Sequence, residues 1–437
     1  MVIIGGGYTG MWTAWHLLDS EPDIRVLLLE GGVCGHGPSG RNGGFCESLW
    51  FSAPALRERF GDEAARSLLD DASETVGAIG AWCQENEVDA WFGQDGYLGV
   101  STGEAFDDAG LAAVEAARAL GRPDAVRDLS AEEVRERVDS PVFRRGVFVP
   151  DFATVQPARL ALGLRDRLLR RGVGIFEGSR VTALETPGPG QVLARTRGGS
   201  VRAKAAVLAV GPSARSFRPL RSRLSVTSSH IVLTEPVPDV IERIGWTGGE
   251  CITDGRTLLH YFRTTRDGRI AFGWGGGRLA YGSRVNGRIE VDREVAAEAH
   301  RHLLRIFPAL EGRRITHAWG GPIDVSPSHI PQIGTLPTGP VHFALGYTGN
   351  GVGPTHLAGR ALASLALERR DRWSSLPLVG AEAGAWVPPE PLAWAGGNLV
   401  RRAFLRREEA WERGEQPGPL TRAMCALPHM MGIHVAR

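Results

Sequence analysis

The chain has 437 residues, a formal net charge of +1 at neutral pH and five cysteines. That length predicts two or three domains, and the near-zero charge argues against a nucleic-acid-binding protein, which usually clusters basic residues. The cysteines lack CxxC spacing, and we find neither a signal peptide nor a run of about 18 apolar residues, so we expect no metal site, no transmembrane segment and a cytoplasmic location.

The first thirty residues have the pattern of a dinucleotide-binding βαβ unit. A short apolar strand, VII, meets GGGYTG, and an apolar helix and a second strand that ends at Glu30 follow. We expect Gly5 to make the tight turn, Gly7 to let a pyrophosphate approach, and Gly10 to let helix and strand pack. The helix N-terminus would bind the phosphates, and Glu30 would accept the ribose hydroxyls. A dinucleotide with an unphosphorylated ribose is therefore predicted.

The next segment, GHGPSGRNGGF at 35–45, is too rich in glycine for a helix or a ladder strand, so we predict a loop whose backbone is closely approached. A nicotinamide dehydrogenase usually continues with further βα units, whereas here the nucleotide fold breaks off into this loop, which favours FAD. No second G-x-G-x-x-G follows, so we expect no enzyme that holds both FAD and NAD(P)H. We expect the loop to run along the cofactor from its phosphates to its ring, with Arg41 and Asn42 as the sharpest candidates for a contact. The alternative is a loop held by its own side-chain hydrogen bonds.

Further elements follow in chain order. Residues 62–87 have the periodicity of an amphipathic helix, and 107–139 read as helices that pack on a substrate domain. A helix, a short strand and a further strand around Val181 are predicted for 158–185, with a turn at PGPG (187–190). Residues 205–214 are predicted to form a buried strand that ends in a glycine turn.

From 224 to 274 the apolar pattern changes to period two. The segments SVTSSHIVLTE, CIT, LLHYFRTT and RIAFGW predict an antiparallel meander with turns at 254–255 and 267–268, both Asp-Gly. On LLHYFR, alternation places His260 and Phe262 on one side and Tyr261 and Arg263 on the other. If Arg263 faces the cofactor, it could pair with a substrate carboxylate or phosphonate; if it faces outward, it is a solvated charge.

Near the end, VHFALGYTGNGVGPTHLAGRALASLAL predicts a strand, a glycine loop and a helix opened by Pro354. The N-terminus of this helix could stabilise charge on the pyrimidine end of a flavin, unless it is a plain core helix. After the linker PPEP at 388, a basic amphipathic helix begins, which we expect to dock on its own domain rather than on a membrane.

Six motifs, in order, resemble the D-amino-acid-oxidase-like (DAO) FAD-dependent oxidoreductases. They are GGGYTG with Glu30, SGRNGG (39–44), ATVQPARL (153–160), VLAVG (207–211), WGGPIDVS (319–326) and GYTGNGVG (346–353). Among these, SGRNGG and WGGPIDVS are most similar to the γ-glutamylputrescine-oxidase type of amine oxidase.

The resemblance implies an α/β (α+β two-domain) fold, with a Rossmann-like FAD-binding domain and an inserted antiparallel-sheet substrate domain. The expected FAD domain comprises 1–85, 150–220 and 325–375, and the substrate domain 86–149 and 221–324, with a helical extension at 388–437. The implied FAD contacts are Gly5, Gly7, Tyr8, Thr9, Gly10, Glu30, Gly31, Ser39, Gly40, Arg41, Asn42, Gly43, Gly44, Val181, Gly211, Gly346, Thr348, Gly349, Asn350, Gly351 and Gly353.

The implied activity is oxidation of a primary or secondary amine. A hydride passes to flavin N5, the imine hydrolyses to an aldehyde or ketone, and O2 is reduced to H2O2. Binding and orientation carry such a reaction, so no catalytic triad is expected. Tyr261, Arg263 and His260 are the candidates for positioning the small-molecule substrate. We expect non-covalent FAD, since His36 is displaced from the position at which some relatives attach flavin and Cys34 is only a second candidate.

Two alternatives stay open. Lys204, the only lysine, lies at the edge of a predicted strand, where it cannot assist oxygen above a flavin as a lysine does in several relatives. A dehydrogenase of an amino acid or aminophosphonate with another electron acceptor therefore competes with the oxidase. A flavoprotein for sulfur transfer or tRNA modification is disfavoured by the neutral charge. His230 and His329 are expected to be structural, and Asp324 to support its loop. The sequence does not indicate an oligomeric state.

Overall fold

The computed structural model describes residues 1–282, 284–382 and 384–434. Within them the strands, in chain order, are β1 (Val2–Ile4), β2 (Leu27–Leu29), β3 (Phe45–Cys46), β4 (Tyr97–Val100), β5 (Arg127–Leu129), β6 (Gly146–Val149), β7 (Ala153–Thr154), β8 (Gly174–Phe176), β9 (Ala183–Gly188), β10 (Gln191–Arg195), β11 (Ser200–Ala203), β12 (Ala206–Leu208), β13 (Ser225–Thr234), β14 (Cys251–Asp254), β15 (His260–Thr264), β16 (Ile270–Trp274), β17 (Ile315–Val325), β18 (Gln332–Thr335) and β19 (Val341–Leu345). The α-helices are α1 (Tyr8–Ser20), α2 (Pro38–Arg41), α3 (Ala53–Phe60), α4 (Asp62–Glu85), α5 (Leu111–Ala119), α6 (Ala131–Arg137), α7 (Pro157–Arg170), α8 (Pro238–Arg243), α9 (Arg293–Ile306), α10 (Val352–Ala366), α11 (Leu392–Glu412) and α12 (Pro419–Met430).

The first sheet has the order β18-β19-β12-β1-β2-β8 and is parallel except for the edge pair β18–β19. Its central strands are short and apolar because the sheet is covered on both faces. Helices α1 and α10 pack against each other beside it, so closely that a Cβ on Gly359 would lie 2.8 Å from the Cβ of Trp12. The carboxyl ends of β1, β2 and β12 meet at one edge, where parallel sheets bind ligands.

The second sheet has eight strands in the order β17-β13-β16-β15-β14-β4-β6-β5, antiparallel except for the pair β14–β4. One face packs on α9 through a core that includes Phe262, Phe272 and Phe307. The other face turns toward the ligand edge of the first sheet. Strands β9, β10 and β11 form a small third sheet, and β3 pairs with β7. The α/β class, with a Rossmann-like parallel sheet and a mainly antiparallel sheet, is confirmed.

Several predicted boundaries differ from the observed ones. The strand expected around Val181 begins at Ala183, and the turn at PGPG is confined to its second half. Helix α10 begins at Val352, so Pro354 lies inside its first turn instead of opening it. The turn at 267–268 is confirmed, with Gly268 at φ +72°. The turn predicted at 254–255 is wrong, since five residues separate β14 from β15.

The C-terminal segment forms two helices: α11, over the stretch predicted as a basic amphipathic helix, and α12 beyond it. Helix α11 docks on the loops that flank β15 and β16, with Phe404 buried and Gly397 packed against Leu279. The N–H of His434, beyond α12, donates to the carbonyl of Pro327 at 2.8 Å. Among the described residues, no helix has the length and apolar character required to cross a membrane.

Candidate active site

The turn after β1 and the first turn of α1 each contain a position that only glycine fits. Gly5 has φ +110°, and a Cβ there would lie 2.2 Å from the carbonyl oxygen of Ala209. A Cβ on Gly10 would lie 2.0 Å from the carbonyl oxygen of Gly5. These contacts bring α1 directly onto the strand ends, and the N–H of Tyr8 at the start of the helix donates to Ser39 Oγ at 2.9 Å. The helix N-terminus therefore opens into the space between the two sheets.

Glu30 sits at the end of β2 with both carboxylate oxygens engaged by backbone. Oε2 accepts from the N–H of Gly6 at 2.7 Å, and Oε1 accepts from the N–H of Gly32 at 2.6 Å. Because a carboxylate has about four lone-pair sites, two remain for other donors. The carboxylate is thus oriented by the glycine turn and can still accept hydrogen bonds from ribose hydroxyls.

The glycine-rich segment 35–45 contains a helical turn, so the prediction that it cannot be helical is wrong. Pro38 opens α2, with its fixed φ suited to the first helical position. A Cβ on Gly40 would lie 2.3 Å from the carbonyl oxygen of Gly35, so the turn closes tightly on its own loop. Other atoms approach the backbone of this loop closely, as predicted, but these atoms belong to the protein itself.

The side chains of Arg41 and Asn42 are largely used within this segment. Arg41 donates through Nε to the carbonyl of His36 at 2.7 Å and forms an ion pair with Glu290 at 3.2 Å. Asn42 donates to the carbonyls of Pro38 and Ser39 and accepts from the N–H of Gly44 at 2.7 Å. The alternative of a loop held by its own hydrogen bonds therefore describes these two side chains best.

A single cavity of about 1480 Å³ unites most of the predicted cofactor residues. That volume exceeds the roughly 300–1,000 Å³ of ordinary small-molecule pockets. The predicted residues that line it are Gly5, Gly7, Tyr8, Thr9, Glu30, Gly31, Ser39, Arg41, Asn42, Gly43, Val181, Gly211, Thr348, Gly349, Asn350 and Gly351. Together with the glycine turn and Glu30, this long cavity fits an extended dinucleotide.

Five glycines predicted as cofactor contacts do not line the cavity, and each of them accommodates a close packing contact. A Cβ would approach within 2.0–2.7 Å of a neighbouring residue at every one of them. They are Gly10, Gly40, Gly44, Gly346 and Gly353. Their conformational freedom serves the fit between elements, and they act on any cofactor only through the shape of the cavity.

Asp324 supports the glycine loop that precedes α10, as expected. Its Oδ2 accepts from the N–H of Gly346 at 2.6 Å, and its carbonyl accepts from the N–H of Thr348 at 3.0 Å. Burial raises the pKa of Asp324 to about 6. Tyr347, which the sequence did not single out, lies within hydrogen-bond distance of Thr9 Oγ1 at 3.0 Å and links this loop to α1.

Tyr261 is the member of the predicted substrate-positioning trio that lines the cavity. Its ring lies over Gly273, its cross-strand partner, where a Cβ would come within 2.0 Å of the ring. Ser229 Oγ donates to the carbonyl of Trp274 at 2.9 Å, so the phenol of Tyr261 donates to Ser229 at 2.6 Å. Burial raises the pKa of Tyr261 to about 12, which keeps the phenol neutral at physiological pH.

Arg263 lies on the same side of β15 as Tyr261, but its guanidinium forms hydrogen bonds with backbone carbonyls. Its guanidinium donates to the carbonyls of Gly43 at 2.6 Å, Val155 at 2.9 Å and Thr264 at 3.1 Å. It is buried and does not line the cavity. This position does not support the hypothesis that Arg263 pairs with a substrate carboxylate, and its burial does not fit a solvated charge either.

His260 lies on the opposite side of β15, away from the cavity. Its Nδ1 is 2.6 Å from Asp254 Oδ2, and its Nε2 is 2.5 Å from Nδ1 of His302 on α9. The side chain is fully buried. Its predicted role in substrate positioning is not supported, because Asp254 and His302 hold it in the packing between sheet and helix.

The remaining candidates differ in whether they line the cavity. His230 is buried outside the cavity lining, in agreement with a structural role, whereas His329 lines the cavity. Lys204 is exposed and lies outside the lining, as expected. Cys34 is buried, and burial raises the pKa of its thiol to about 12, which leaves it a poor nucleophile toward a flavin.

Sequence reasoning missed the contribution of α11 to the cavity wall, through residues that include Val400, Arg401 and Phe404. No motif marks these residues, and only the docking of the helix brings them to the site. A second cavity of about 590 Å³ lies on the other side of α11 and is also lined by Arg401. Several carboxylates line this second cavity: Glu294, Glu298, Glu408, Glu409 and Glu412.

Glu408 on α11 gives the docking of this helix a pH dependence. The carboxyl is buried and accepts from the N–H of Leu258 at 3.0 Å. Burial raises the pKa of Glu408 to about 7. Because the folded-state pKa lies above the unfolded one, its stabilising contribution is present at low pH and is lost as the pH rises through about 7.

We therefore expect Glu408→Gln, which keeps the acceptor without titrating, to raise the melting temperature relative to wild type more at about pH 8 than at about pH 5. Thermal unfolding at both pH values, followed by circular dichroism, measures the difference. Glu409→Gln, at the exposed neighbouring position, is the matched control. A Glu408→Gln effect that is equal at the two pH values would contradict the assignment.

Comparison with known proteins places this geometry in context. A family model described as FAD dependent oxidoreductase (DAO) matches residues 1–365. The chain is 30% identical to Gamma-glutamylputrescine oxidoreductase of Escherichia coli K12, over 86% of each protein. It is 29% identical to the probable oxidoreductase OrdL of Rhizobium meliloti, over 94% of this chain and 90% of that protein.

Solved structures share the fold at lower sequence identity. Glycine oxidase from Geobacillus kaustophilus superposes with a TM-score of 0.68 at 18% identity, over 87% of this chain and 98% of that one. L-Amino acid deaminase from Proteus myxofaciens, solved in complex with anthranilate, gives 0.69 at 19% identity, over 87% and 92%. At these identities the likeness concerns the fold alone.

Proposed function

The chain belongs to the DAO family of FAD-dependent oxidoreductases, and from that premise we propose that it oxidises the C–N bond of a primary or secondary amine. The name of the E. coli relative, Gamma-glutamylputrescine oxidoreductase, supports an amine substrate. The solved structures of glycine oxidase and L-amino acid deaminase share the fold and leave amino acids as a related class.

One observation carries the proposal. The cavity that begins at the glycine turn and Glu30 continues without interruption to the face of the second sheet at Tyr261. A dinucleotide and a substrate bound in these two regions would share one continuous space, as a redox reaction between cofactor and substrate requires. Such a reaction is governed by the orientation of the substrate and needs no nucleophile–base pair.

We assign the cofactor-holding roles as follows. The N-terminus of α1 and Ser39 would hold the pyrophosphate, and Glu30 the ribose hydroxyls. Thr348 to Gly351, before α10, would face the pyrimidine end of the flavin. Bound FAD supplies the hydride acceptor for the substrate C–H beside nitrogen, and the imine product then hydrolyses to an aldehyde or ketone.

Tyr261 is the residue that we assign to orienting the amine. Its hydroxyl proton is committed to Ser229, which leaves the phenol lone pairs as acceptors for a substrate N–H. The raised pKa of Tyr261 excludes it as a general base at neutral pH. It therefore fixes the direction of the nitrogen without removing a proton.

Tyr261→Phe is expected to lower the rate of flavin reduction divided by substrate Kd about tenfold, the effect of one lost neutral hydrogen bond. Anaerobic stopped-flow reduction measures it. The FAD content should not change, because the ring that covers Gly273 remains. Ser229→Ala, which removes the partner of the phenol and the hydrogen bond to Trp274 but keeps the phenol, should have a smaller effect. A Tyr261→Phe enzyme with wild-type reduction kinetics would argue against this role.

We propose O2 as the electron acceptor, with release of H2O2. A dehydrogenase of an amino acid or aminophosphonate that uses another acceptor is the second candidate. It is favoured by one observation: within the described part of the chain, no lysine lines the cavity. An oxidase would need His329, or an arginine in the lining, to assist the reaction with oxygen.

Anaerobic titration of the holoprotein with a panel of amines and amino acids tests the proposal. Bleaching of the visible flavin band by an amine supports it, and no bleaching by any amine would overturn it. Oxygen is then admitted to the reduced protein. Rapid recovery of colour with H2O2 formation supports the oxidase, whereas persistence of the reduced flavin favours the dehydrogenase.

A further inference from the structure

Helix α11, which lies beyond the stretch matched by the family model, builds part of the substrate end of the cavity. It places Val400, Arg401 and Phe404 in the wall, together with Leu258 and neighbouring loop residues. Of these three α11 side chains, only Arg401 is charged. The residues assigned to the cofactor thus lie within the stretch that the family model matches, whereas the α11 part of the cavity wall lies outside it.

Arg401 is tied to the loop that leaves β16. Its Nε donates to the carbonyl of Gly277 at 2.5 Å and lies 3.2 Å from that of Gly276, to which Nη2 also donates. Gly273, the cross-strand neighbour of Tyr261, precedes Gly276 by three residues, which span at most about 10 Å. Arg401 and Tyr261 therefore belong to one continuous wall.

The positive charge of Arg401 has no carboxylate partner within ion-pair distance among the residues that the structure describes. The charge of Asp292 acts to raise the pKa of Arg401, but that carboxylate is already paired with Arg278 and Arg288. Burial lowers the pKa of Arg401 to about 10, so it remains a cation at neutral pH. A partly buried cation without a counterion is costly, and an anion that enters the cavity would offset that cost.

We propose that Arg401 binds an anionic group, a carboxylate or a phosphonate, on the amine substrate. The guanidinium uses Nε and Nη2 for the loop carbonyls, and Nη1 makes no hydrogen bond to the described residues and is available. The anion enters from the main cavity, which Arg401 and Tyr261 both line. Tyr261 then orients the amine end and Arg401 the acidic end of one molecule. This assignment rests on the proposed amine oxidation.

The test uses the holoenzyme and matched pairs of probes. Straight-chain ω-amino carboxylates of increasing length, and the corresponding aminoalkylphosphonates, are compared with n-alkylamines in anaerobic flavin reduction. We expect at least one acidic amine to exceed its matched alkylamine about tenfold or more in reduction rate divided by Kd. In Arg401→Met this ratio should fall to about one.

Arg402→Met, an exposed neighbour on α11, is the control and should keep the preference. Arg401→Lys keeps the charge without the planar guanidinium and should retain part of the preference for acidic amines. It replaces Arg401→Met in the test if that variant loses FAD. An independent readout is thermal unfolding: unreactive alkanoates or alkylphosphonates should raise the melting temperature of wild type but not of Arg401→Met.

The two series also identify which anion is preferred. Wild-type reduction by alkylamines with no preference for either acidic series would overturn the role of Arg401 and leave amine oxidation intact. A preference that survives in Arg401→Met would also overturn it. If no amine reduces the flavin, the proposed function itself fails, and the alkanoate readout decides on Arg401 separately.

Discussion

Replacing Gly10 by alanine is expected to weaken FAD binding at least about 100-fold, the effect of roughly 3 kcal/mol of overpacking. The new Cβ would lie 2.0 Å from the carbonyl oxygen of Gly5 and 3.1 Å from Ile3 Cγ2. The first contact is with backbone, so no side-chain rotation relieves it. Helix α1 would have to move away from β1, and its N–H groups would leave the position that faces the cavity.

The FAD content of purified protein and the Kd from titration of the apoprotein measure this effect. Gly37→Ala is the matched control, since Gly37 lines the same cavity but has φ −72° and no atom within 4 Å of an added Cβ. It should bind FAD as wild type does. A Gly10→Ala protein with the wild-type Kd would show that the fit of α1 onto the turn does not control the cofactor site.

The βαβ unit at the N-terminus could be predicted from sequence because its determinants are local. An apolar strand, three glycines at fixed spacing and the acid at Glu30 lie within thirty residues of each other. The meander at β13 to β16 was predictable for the same reason, since period-two alternation records a half-buried sheet. The predicted ends of helices and strands were less accurate, because tertiary contacts decide where an element begins and ends.

The glycine loop shows why a composition rule can mislead. Glycine disfavours a helix on average, yet Pro38 and the contact of Gly40 with Gly35 produce a helical turn there. That contact depends on the path of the loop over α7, which no local pattern encodes. Asn42 could have been assigned to either a ligand or its own loop, and only the positions of its neighbours decide between them.

Alternation along β15 correctly paired Tyr261 with Arg263 but could not say what each side chain reaches. Val155 lies 108 residues from Arg263 and Gly43 lies 220 residues from it, so these partners are invisible to a local pattern. The wall formed by α11 was unpredictable for a similar reason. Periodicity indicated an amphipathic helix, whereas its place beside the cavity depends on loops more than 100 residues earlier in the chain.

The second large effect is expected for Arg263→Met, which should destabilise the protein by about 2–4 kcal/mol. Methionine fills much of the space but donates no hydrogen bond, so the carbonyls of Gly43 and Val155 lose a buried donor. Burial lowers the pKa of Arg263 to about 10, and the removal of that buried cation offsets part of the loss. Because Gly43 belongs to the glycine loop, the flavin end of the cavity should loosen as well.

Thermal unfolding of the holoprotein, together with the temperature at which FAD fluorescence reports release, measures both consequences. Arg266→Met on the same hairpin is the control, since its side chain is 64% exposed and its one ion pair, with Asp89, is at the surface. Such pairs contribute at most about 1 kcal/mol. The contrary result would be an Arg263→Met protein that has the wild-type melting temperature but has lost the preference for acidic amines. That result would return the anion-binding role to Arg263 and remove it from Arg401, whereas unchanged acidic selectivity with a lower melting temperature assigns Arg263 to the architecture of the loop.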